Sequence, residues 1–272
     1  MKNLVIGASG QLGYQIYNQL YPDVLGTSFS NNDFYKLDIS NEEQIKKLSE
    51  KISPEVIYLT AAATNVDWCE QNPELSKDIN VRSVVNFTKY FSFAKIVFFS
   101  SDYVFPGCGQ ASEIDIPDPL QTYGKHKLIA ELMLRESSNK FLILRTNMIY
   151  GFDPNGKNYS SRLIKSLKEG KVFNAVDDEI VTPSYNKDIA KQAIYLQNLF
   201  CGTYHLTGAD ICTRYSFSID LAEKLGLDKN LINPISVNDL NLRAKRPVNG
   251  GLKSNFISPL RGYKEVFNKE QF

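Results

Sequence analysis

The sequence predicts an α/β fold in which a doubly wound parallel sheet is joined to a smaller C-terminal lobe. Two observations predict this class. Short, wholly apolar runs alternate with segments of helical periodicity as far as Tyr150, and beyond it the alternation loosens as glycine, proline and asparagine become frequent. Regular alternation is typical of parallel sheets covered by helices on both faces, and strands buried between two helical layers are apolar throughout.

Five apolar runs predict the successive strands of the sheet. They lie at 4–6, 24–27, 56–59, 96–99 and 141–144. Apolar residues at helical spacing predict a helix through Leu12, Ile16 and Leu20, and further helices over about 42–52, 73–91 and 123–136. Ser40 or Asn41 is a suitable N-cap for the second of these helices.

The C-terminal part of the chain predicts shorter elements. Helices are expected over about 159–168, 187–198 and 216–225, with an isolated strand at 203–206. We therefore predict a first domain over 1–150, to which the segment of about 185–208 returns, and a lobe over 151–272 that mainly binds substrate.

Composition narrows the class of protein. Of the 272 residues, 43% are hydrophobic and 22% are charged, which is typical of a globular domain. The net charge of +1 predicts no general attraction to nucleic acid or to an anionic membrane. The first apolar run is too short for a signal peptide and no run approaches a membrane span, so we expect a cytoplasmic protein without a membrane partner.

The cysteines and histidines predict no metal site. Cys69, Cys108, Cys201 and Cys212 show no C-x-x-C spacing, and the chain has two histidines. Scattered ligands of this kind do not form the usual zinc motifs. We expect free thiols in a reducing compartment.

A glycine-rich turn after the first strand predicts a dinucleotide site. Gly7, Gly10 and Gly13 form G-x-x-G-x-x-G between the first strand and the first helix. In this context the glycines permit a tight turn, close approach of a pyrophosphate and close helix packing, and the helix N-terminus attracts phosphate. The expected cofactor-binding residues of this Rossmann-type turn are Gly7, Ser9, Gly10, Gln11 and Leu12.

The end of the second strand favours NADPH, with NADH as the alternative. NAD enzymes place a carboxylate there to bind the ribose 2′-hydroxyl, but no carboxylate precedes Asp33 in this segment. The hydroxyls of Ser28 and Ser30 are candidate donors to a 2′-phosphate, and Lys36 is the first cation that follows. Further on, Asp38 and Ile39 are candidates for contact with adenine.

Three residues predict carbonyl reduction. Tyr123 and Lys127 are four residues apart, on one face of a helix, and Ser101 lies at the C-terminal end of the fourth strand, where ligands of such sheets bind. An ammonium about 4 Å away supplies about 4 kcal/mol at an effective dielectric near 20. We therefore expect Lys127 to lower the pKa of the Tyr123 phenol, and Ser101 to orient the substrate oxygen.

These motifs resemble the extended short-chain dehydrogenase/reductases, and specifically the dTDP-4-dehydrorhamnose reductase family. The matching segments cover nearly the whole chain in order; they include 7–13, 61–67, 100–107, 123–125, 145–151, 182–183, 202–208 and 246–249. The resemblance implies NADPH-dependent reduction of the 4-keto group of a dTDP-4-keto-6-deoxy sugar, as in dTDP-rhamnose biosynthesis. It assigns Ser101, Tyr123 and Lys127 to catalysis and Asp102 and Tyr103 to the sugar. It also adds Ala61, Ala62, Ala63, Tyr123 and Lys127 to the cofactor-binding residues.

The sequence departs from the family pattern at several positions. Met148 stands where the reductases usually have a tryptophan over the sugar, and Gln15 stands where some have a glutamate that binds a dimer-forming Mg²⁺. We therefore expect no metal, while a homodimer is still possible. Arg246 is a candidate for the substrate diphosphate or for a structural salt bridge. Since Tyr103 follows Asp102, the Asp-Glu pair of the related dehydratases is missing.

Two other functions are compatible with the same motifs. The β regulatory subunit of methionine adenosyltransferase also resembles this family; such a protein binds NADP and a partner enzyme without evident turnover. A dinucleotide-binding redox sensor is the other alternative, and it needs a reactive thiol such as Cys69 or Cys108.

Overall fold

A seven-stranded parallel sheet forms the centre of the molecule. The computed structural model describes residues 2–137, 140–198 and 201–270. The strand order is β11-β6-β5-β4-β1-β2-β3, and every neighbouring pair is parallel. The predicted α/β class, with a doubly wound parallel sheet, is confirmed. The strands of this sheet are β1 (Asn3–Ile6), β2 (Val24–Ser28), β3 (Tyr35–Lys36), β4 (Val56–Leu59), β5 (Lys95–Ser101), β6 (Phe141–Thr146) and β11 (Gly202–His205).

Helices cover both faces of the sheet and bury two separate apolar layers. One layer lies under the first helix and includes Ile16, Tyr58 and Leu144; the other includes Ile57 and Phe98. Alternate residues of each strand enter opposite layers, as the period of a strand requires. The helices are α1 (Gln11–Leu20), α2 (Glu42–Ser49), α3 (Val66–Gln71), α4 (Pro73–Lys77), α5 (Ser83–Tyr90), α6 (Thr122–Ser137) and α8 (Asn186–Leu196).

A third apolar cluster forms the smaller lobe, with Tyr150, Phe217 and Tyr263 at its centre. Short strand pairs β10-β7, β12-β9 and β13-β8 support it. Its remaining elements are β7 (Ile149–Tyr150), α7 (Tyr159–Lys168), β8 (Phe173–Val176), β9 (Ile180–Val181), β10 (Ser184–Tyr185), β12 (Cys212–Thr213), α9 (Arg214–Leu225), β13 (Ile232–Ile235) and α10 (Tyr263–Lys269).

Several elements differ from the sequence prediction. The five predicted strands of the sheet appear as β1, β2, β4, β5 and β6, with ends within two residues of those expected. The helix expected over 73–91 is interrupted by a π-helical turn at Asp78–Arg82, which separates α4 from α5. The edge strand β3 and the helix α3 were not predicted, because two to six residues are too few to show a hydrophobic period.

Helix α6 is held against the sheet by two buried polar contacts. The Arg145 guanidinium on β6 donates two hydrogen bonds, of 2.9 and 2.6 Å, to the Glu131 carboxylate on α6. The Lys127 ammonium donates to the Phe99 carbonyl of β5 at 2.8 Å. Bidentate pairs of this kind fix orientation as well as distance, so α6 has one position over the ends of β5 and β6.

Candidate active site

A cavity of about 510 Å³ opens at the C-terminal ends of the sheet strands. This edge is where open α/β sheets bind their ligands. Most of the predicted site residues line it: Gly7, Ser9, Gly10, Gln11, Leu12, Ser28, Ser30, Ala61, Ala62, Ser101, Asp102, Tyr103, Tyr123, Lys127 and Met148.

A second cavity, of about 330 Å³, adjoins the first at the end of β2. It is lined by Asp38, Ile39 and Ala63, which complete the predicted cofactor-binding residues, and it shares Gly7 and Ser28 with the larger cavity. Residues shared by the two cavities connect the end of β2 with the ends of β4 and β5.

Arg246 is the one predicted site residue that lines neither cavity. Its guanidinium donates to the Asp67 carboxylate at 2.7 Å and to the Ala244 carbonyl at 2.9 Å. Asp67 also accepts from the backbone of Arg243 and Ala244. Of the two roles considered from the sequence, this geometry favours the structural salt bridge, which ties the C-terminal segment to α3.

The glycine turn provides the local geometry that a pyrophosphate needs. Gly10 is the N-cap of α1 and has no side chain to cap the helix, so the first backbone N–H groups face the cavity. A Cβ at Gly13 would lie 2.1 Å from the Gly7 carbonyl oxygen. A residue with a side chain at position 13 would therefore force the glycine turn and α1 apart. The residues of the turn fit a dinucleotide.

Tyr123 and Lys127 reach the cavity from the first turns of α6. Tyr123 is packed edge-to-face on Tyr103, with ring centroids 6.0 Å apart. A Cβ at Gly124 would lie 2.0 Å from the Tyr103 carbonyl oxygen, so this glycine permits the close approach of α6 to the end of β5. Ser101 and Tyr123 line the same cavity, so the side chains from the end of β5 and from the start of α6 border one space.

The expected lowering of the Tyr123 pKa is wrong for the protein alone. Burial and the neighbouring Asp102 carboxyl raise the pKa of the Tyr123 phenol above its usual value. Burial also lowers the pKa of Lys127 to about 8. Burial removes hydration from both groups, and this loss favours the neutral phenol and the neutral amine.

Asp102 is buried beside Ser101. One carboxyl oxygen accepts from the Ser101 hydroxyl at 3.0 Å, and the other accepts from the Asn147 side-chain amide. Asn147 in turn accepts from the backbone N–H of Thr182 at 2.7 Å. Burial raises the pKa of Asp102 to about 7. A large fraction of this carboxyl is therefore protonated at neutral pH.

The Ser28 hydroxyl is engaged within the protein. It accepts from the backbone N–H groups of Ser30 and Asn31, at 3.3 and 3.0 Å, and lies 2.7 Å from the Ser9 hydroxyl. Ser28 therefore shapes the turn after β2 and joins it to the glycine turn. The Ser30 side chain lines the larger cavity as expected.

Several cavity residues were not found from the sequence. Thr146, Asn147 and Ile149 lie beside Met148 at the end of β6, and Arg214 comes from the N-terminus of α9 in the lobe. Met148 itself has a positive φ of 32°, which is unusual for a residue other than glycine. Residues at the end of β6 are expected at the cavity, because ligands of such sheets bind at the C-terminal ends of the strands. The sequence around Arg214 contains no motif that indicates a site.

Neither a metal cluster nor a membrane span is found in the described residues. Within 2–137, 140–198 and 201–270, no three His, Cys, Asp or Glu side chains are grouped to hold a metal ion. In the same ranges, no helix has both the length and the apolar character needed to cross a bilayer.

Comparison with known proteins identifies the family. The family model described as RmlD substrate binding domain matches residues 1–266. The chain belongs to this family. It is 33% identical to the dTDP-4-dehydrorhamnose reductase of Aggregatibacter actinomycetemcomitans, over 92% of this chain and 89% of the relative.

Two other members of the comparison are informative. A crystal structure of dTDP-4-dehydrorhamnose reductase from Bacillus anthracis in complex with NADP has a TM-score of 0.90 and 28% identity, covering 99% of this chain and 98% of that chain. The methionine adenosyltransferase 2 subunit beta of Danio rerio is 26% identical over 94% of this chain and 84% of its own length. The sequence resemblance to the reductase family is thus confirmed.

The buried carboxyl of Asp102 predicts a specific dependence of stability on pH. Its pKa is about 7 in the folded protein and 3.8 in the reference state, so between about pH 4 and 7 the folded state holds a proton that the unfolded state has lost. Stability therefore falls as pH rises through this window, by up to ~1.4 kcal/mol per pH unit. An Asp102→Asn variant lacks this ionisation.

Denaturant unfolding of the wild type and Asp102→Asn at pH 5 and pH 7.5 measures the effect. We expect the wild type to lose about 2 kcal/mol more than the variant between the two pH values. Equal losses in both proteins would contradict a protonated Asp102.

Proposed function

We propose that this protein reduces the 4-keto group of a dTDP-4-keto-6-deoxy sugar with NADPH. One observation carries the proposal: a single cavity joins the glycine turn to Ser101, Tyr123 and Lys127. The first feature suits a dinucleotide and the other three suit proton delivery to a carbonyl. Two reductases in the comparison, one of them bound to NADP, support the same reaction class.

Tyr123 is the proton donor in this mechanism. Burial keeps its phenol protonated at neutral pH, which is the form needed to protonate the oxygen of a carbonyl under reduction. Ser101 lines the same cavity as the phenol, and we assign it to orienting the substrate oxygen. When bound, NADPH supplies the hydride.

We assign Lys127 to cofactor binding and to holding positive charge in the cavity that Tyr123 also lines. Its ammonium is buried and is fixed by the Phe99 carbonyl at 2.8 Å, which leaves two of its three N–H donors for ribose hydroxyls. A cation at this place also favours the phenolate that Tyr123 becomes after it gives up its proton. With a pKa of about 8, Lys127 is mostly charged at neutral pH.

The sugar is assigned to the part of the cavity beyond the Tyr123 phenol. Asp102, Tyr103 and Met148 line the cavity, and we assign these residues to substrate binding. The dinucleotide-binding domain of residues 1–150 and the substrate lobe of residues 151–272 are both parts of this proposal. The cytoplasmic location and the formation of a homodimer remain predictions from the sequence.

Tyr123→Phe tests the role of the phenol. The variant keeps the ring packed on Tyr103 and removes the hydroxyl, so we expect reduction to fall by about 100-fold or more, while the affinity for NADPH changes less than about twofold. Oxidation of NADPH at 340 nm with dTDP-4-dehydrorhamnose measures the rate, and cofactor fluorescence measures the binding. Wild-type activity in Tyr123→Phe would refute the assignment.

Lys36 is our candidate for binding the 2′-phosphate of NADPH. In the parallel pairing of β2 and β3, Lys36 is the register partner of Ser28, so both side chains point to the same face of the sheet. On that face the Ser28 hydroxyl lies 2.7 Å from Ser9 of the glycine turn. The Lys36 side chain is exposed and has no ion pair among the described residues. We assign it to the 2′-phosphate, as a cation after β2 is in NADP enzymes.

Lys36→Ala is expected to weaken NADPH binding about tenfold at low salt, since a charge-assisted hydrogen bond to phosphate contributes about 1.5 kcal/mol or more. NADH lacks this phosphate, so its affinity should change less than about twofold. Thermal shifts with each cofactor measure both. Lys171→Ala, at an exposed lysine of the lobe, is the control. Equal weakening of NADPH and NADH would exclude a role for Lys36 in phosphate recognition.

A regulatory subunit is the second candidate function, favoured by the match to a methionine adenosyltransferase subunit. The two functions differ in a simple observation. A reductase consumes NADPH steadily with a keto-sugar nucleotide, whereas a regulatory subunit binds NADP and co-elutes with a methionine adenosyltransferase without turnover. For the redox-sensor alternative, Cys69 is buried and burial raises the pKa of its thiol. Cys108 is exposed, but it lines neither of the two cavities assigned to the cofactor and substrate.

A further inference from the structure

Arg214 brings a cation from the lobe into the wall of the main cavity. It is the first residue of α9 and lines the same space as Ser101, Tyr103 and Met148. Electrostatic interactions connect it to Asp102 and Tyr103. The side chain is therefore at the end of the cavity that the proposed function assigns to the sugar.

The guanidinium is held rigidly along one edge. Its Nε donates to Glu179 at 2.6 Å and its Nη2 donates to the other oxygen of the same carboxylate at 3.1 Å. The plane lies over the ring of Tyr159, with 5.2 Å between the guanidinium carbon and the ring centroid. Both side chains of the ion pair are mostly buried, 20% exposed for Arg214 and 7% for Glu179. A side chain fixed in this way loses little further freedom when it binds a ligand.

The other edge of the guanidinium has no protein partner in the described residues. Hydrogen bonds are found at Nε and Nη2, and Nη1 forms none within 2–137, 140–198 and 201–270. Among the described residues, the fully buried polar atoms that lack a partner do not include Nη1. Arg214 borders the cavity, so Nη1 can donate to a bound ligand without first breaking a hydrogen bond to the protein. The structure thus presents a preorganised donor to whatever fills this end of the cavity.

The charge of the pair indicates the kind of acceptor. Glu179 neutralises Arg214, so the local site carries no net positive charge to attract an anion. A neutral oxygen acceptor suits such a site, and the sugar of the proposed substrate offers several hydroxyl and ring oxygens. The diphosphate, which is strongly anionic, is better matched by an uncompensated cation.

We propose that Arg214 binds the sugar part of the nucleotide-sugar substrate, by donating from Nη1 to a sugar oxygen, and so contributes to sugar specificity. This inference rests on the proposed function and adds a residue from α9 to the substrate site. Met148 lines the same cavity, so in this proposal one polar and one apolar side chain contact the sugar.

A pair of variants isolates the guanidinium. Glu179→Gln keeps Arg214 and replaces its partner by a neutral acceptor, and Glu179→Gln with Arg214→Met removes the guanidinium without leaving a buried carboxylate unpaired. Calorimetry with dTDP-rhamnose and with dTDP, each in the presence of NADP⁺, compares a ligand that carries the sugar with one that lacks it. KM and kcat with dTDP-4-dehydrorhamnose are measured in parallel.

Relative to Glu179→Gln, we expect the double variant to bind dTDP-rhamnose about tenfold more weakly or worse, with a matching rise in KM. Binding of dTDP and of NADPH should change less than about twofold. Equal weakening of dTDP and dTDP-rhamnose would overturn the proposal in favour of a diphosphate contact. Unchanged binding of both, with lower thermal stability, would leave Arg214 a purely structural role and also overturn it.

Arg214→Lys covers the case in which the double variant does not fold. A lysine keeps one charge for Glu179 but cannot present a second donor edge, so the same selective loss of dTDP-rhamnose binding is expected, and its absence would refute the proposal. Failure of the proposed function is distinguishable, because then the wild type itself would neither bind dTDP-rhamnose nor oxidise NADPH with the keto-sugar.

Discussion

The hydrogen bond from the Lys127 ammonium to the Phe99 carbonyl is the contact on which the site depends. It is 2.8 Å long and entirely buried, and it joins the helix that carries Tyr123 to the strand that ends at Ser101. Because the donor is charged, the bond is stronger than one between neutral groups. The same ammonium would be poorly solvated without it, so the position of α6 and the charge of Lys127 are maintained together. The Glu131–Arg145 pair then fixes the rest of α6 against β6.

Burial sets the protonation of the groups around the proposed reaction centre. It raises the pKa of Tyr123, raises that of Asp102 to about 7, and lowers that of Lys127 to about 8. In each case burial favours the neutral form of the group, because the charged form loses hydration. The Tyr123 phenol is therefore protonated, as a proton donor in reduction must be. Lys127, the cation assigned to stabilising the phenolate, has a pKa close to neutral pH.

The sequence predicted those parts of the site whose residues lie close together along the chain. The glycine turn is complete within seven residues, and the Tyr123–Lys127 pair lies within two helical turns, so their placement followed from strand and helix periodicity. Arg214 and Asn147 reach the same cavity through the packing of the lobe on the sheet, and no short-range pattern encodes that contact. The pKa of Tyr123 was wrongly predicted for a similar reason, because hydration depends on every element that covers the phenol.

The central claim is that Tyr123 delivers its proton to the carbonyl oxygen while Lys127 holds the cofactor. A crystal structure of the protein with NADP⁺ and dTDP-rhamnose tests it most directly. We expect the phenol oxygen of Tyr123 to lie about 2.6–3.2 Å from the O4 atom of the sugar, with the ammonium of Lys127 on the nicotinamide ribose. A phenol turned away from O4, with another group in hydrogen-bond contact there, would contradict the account.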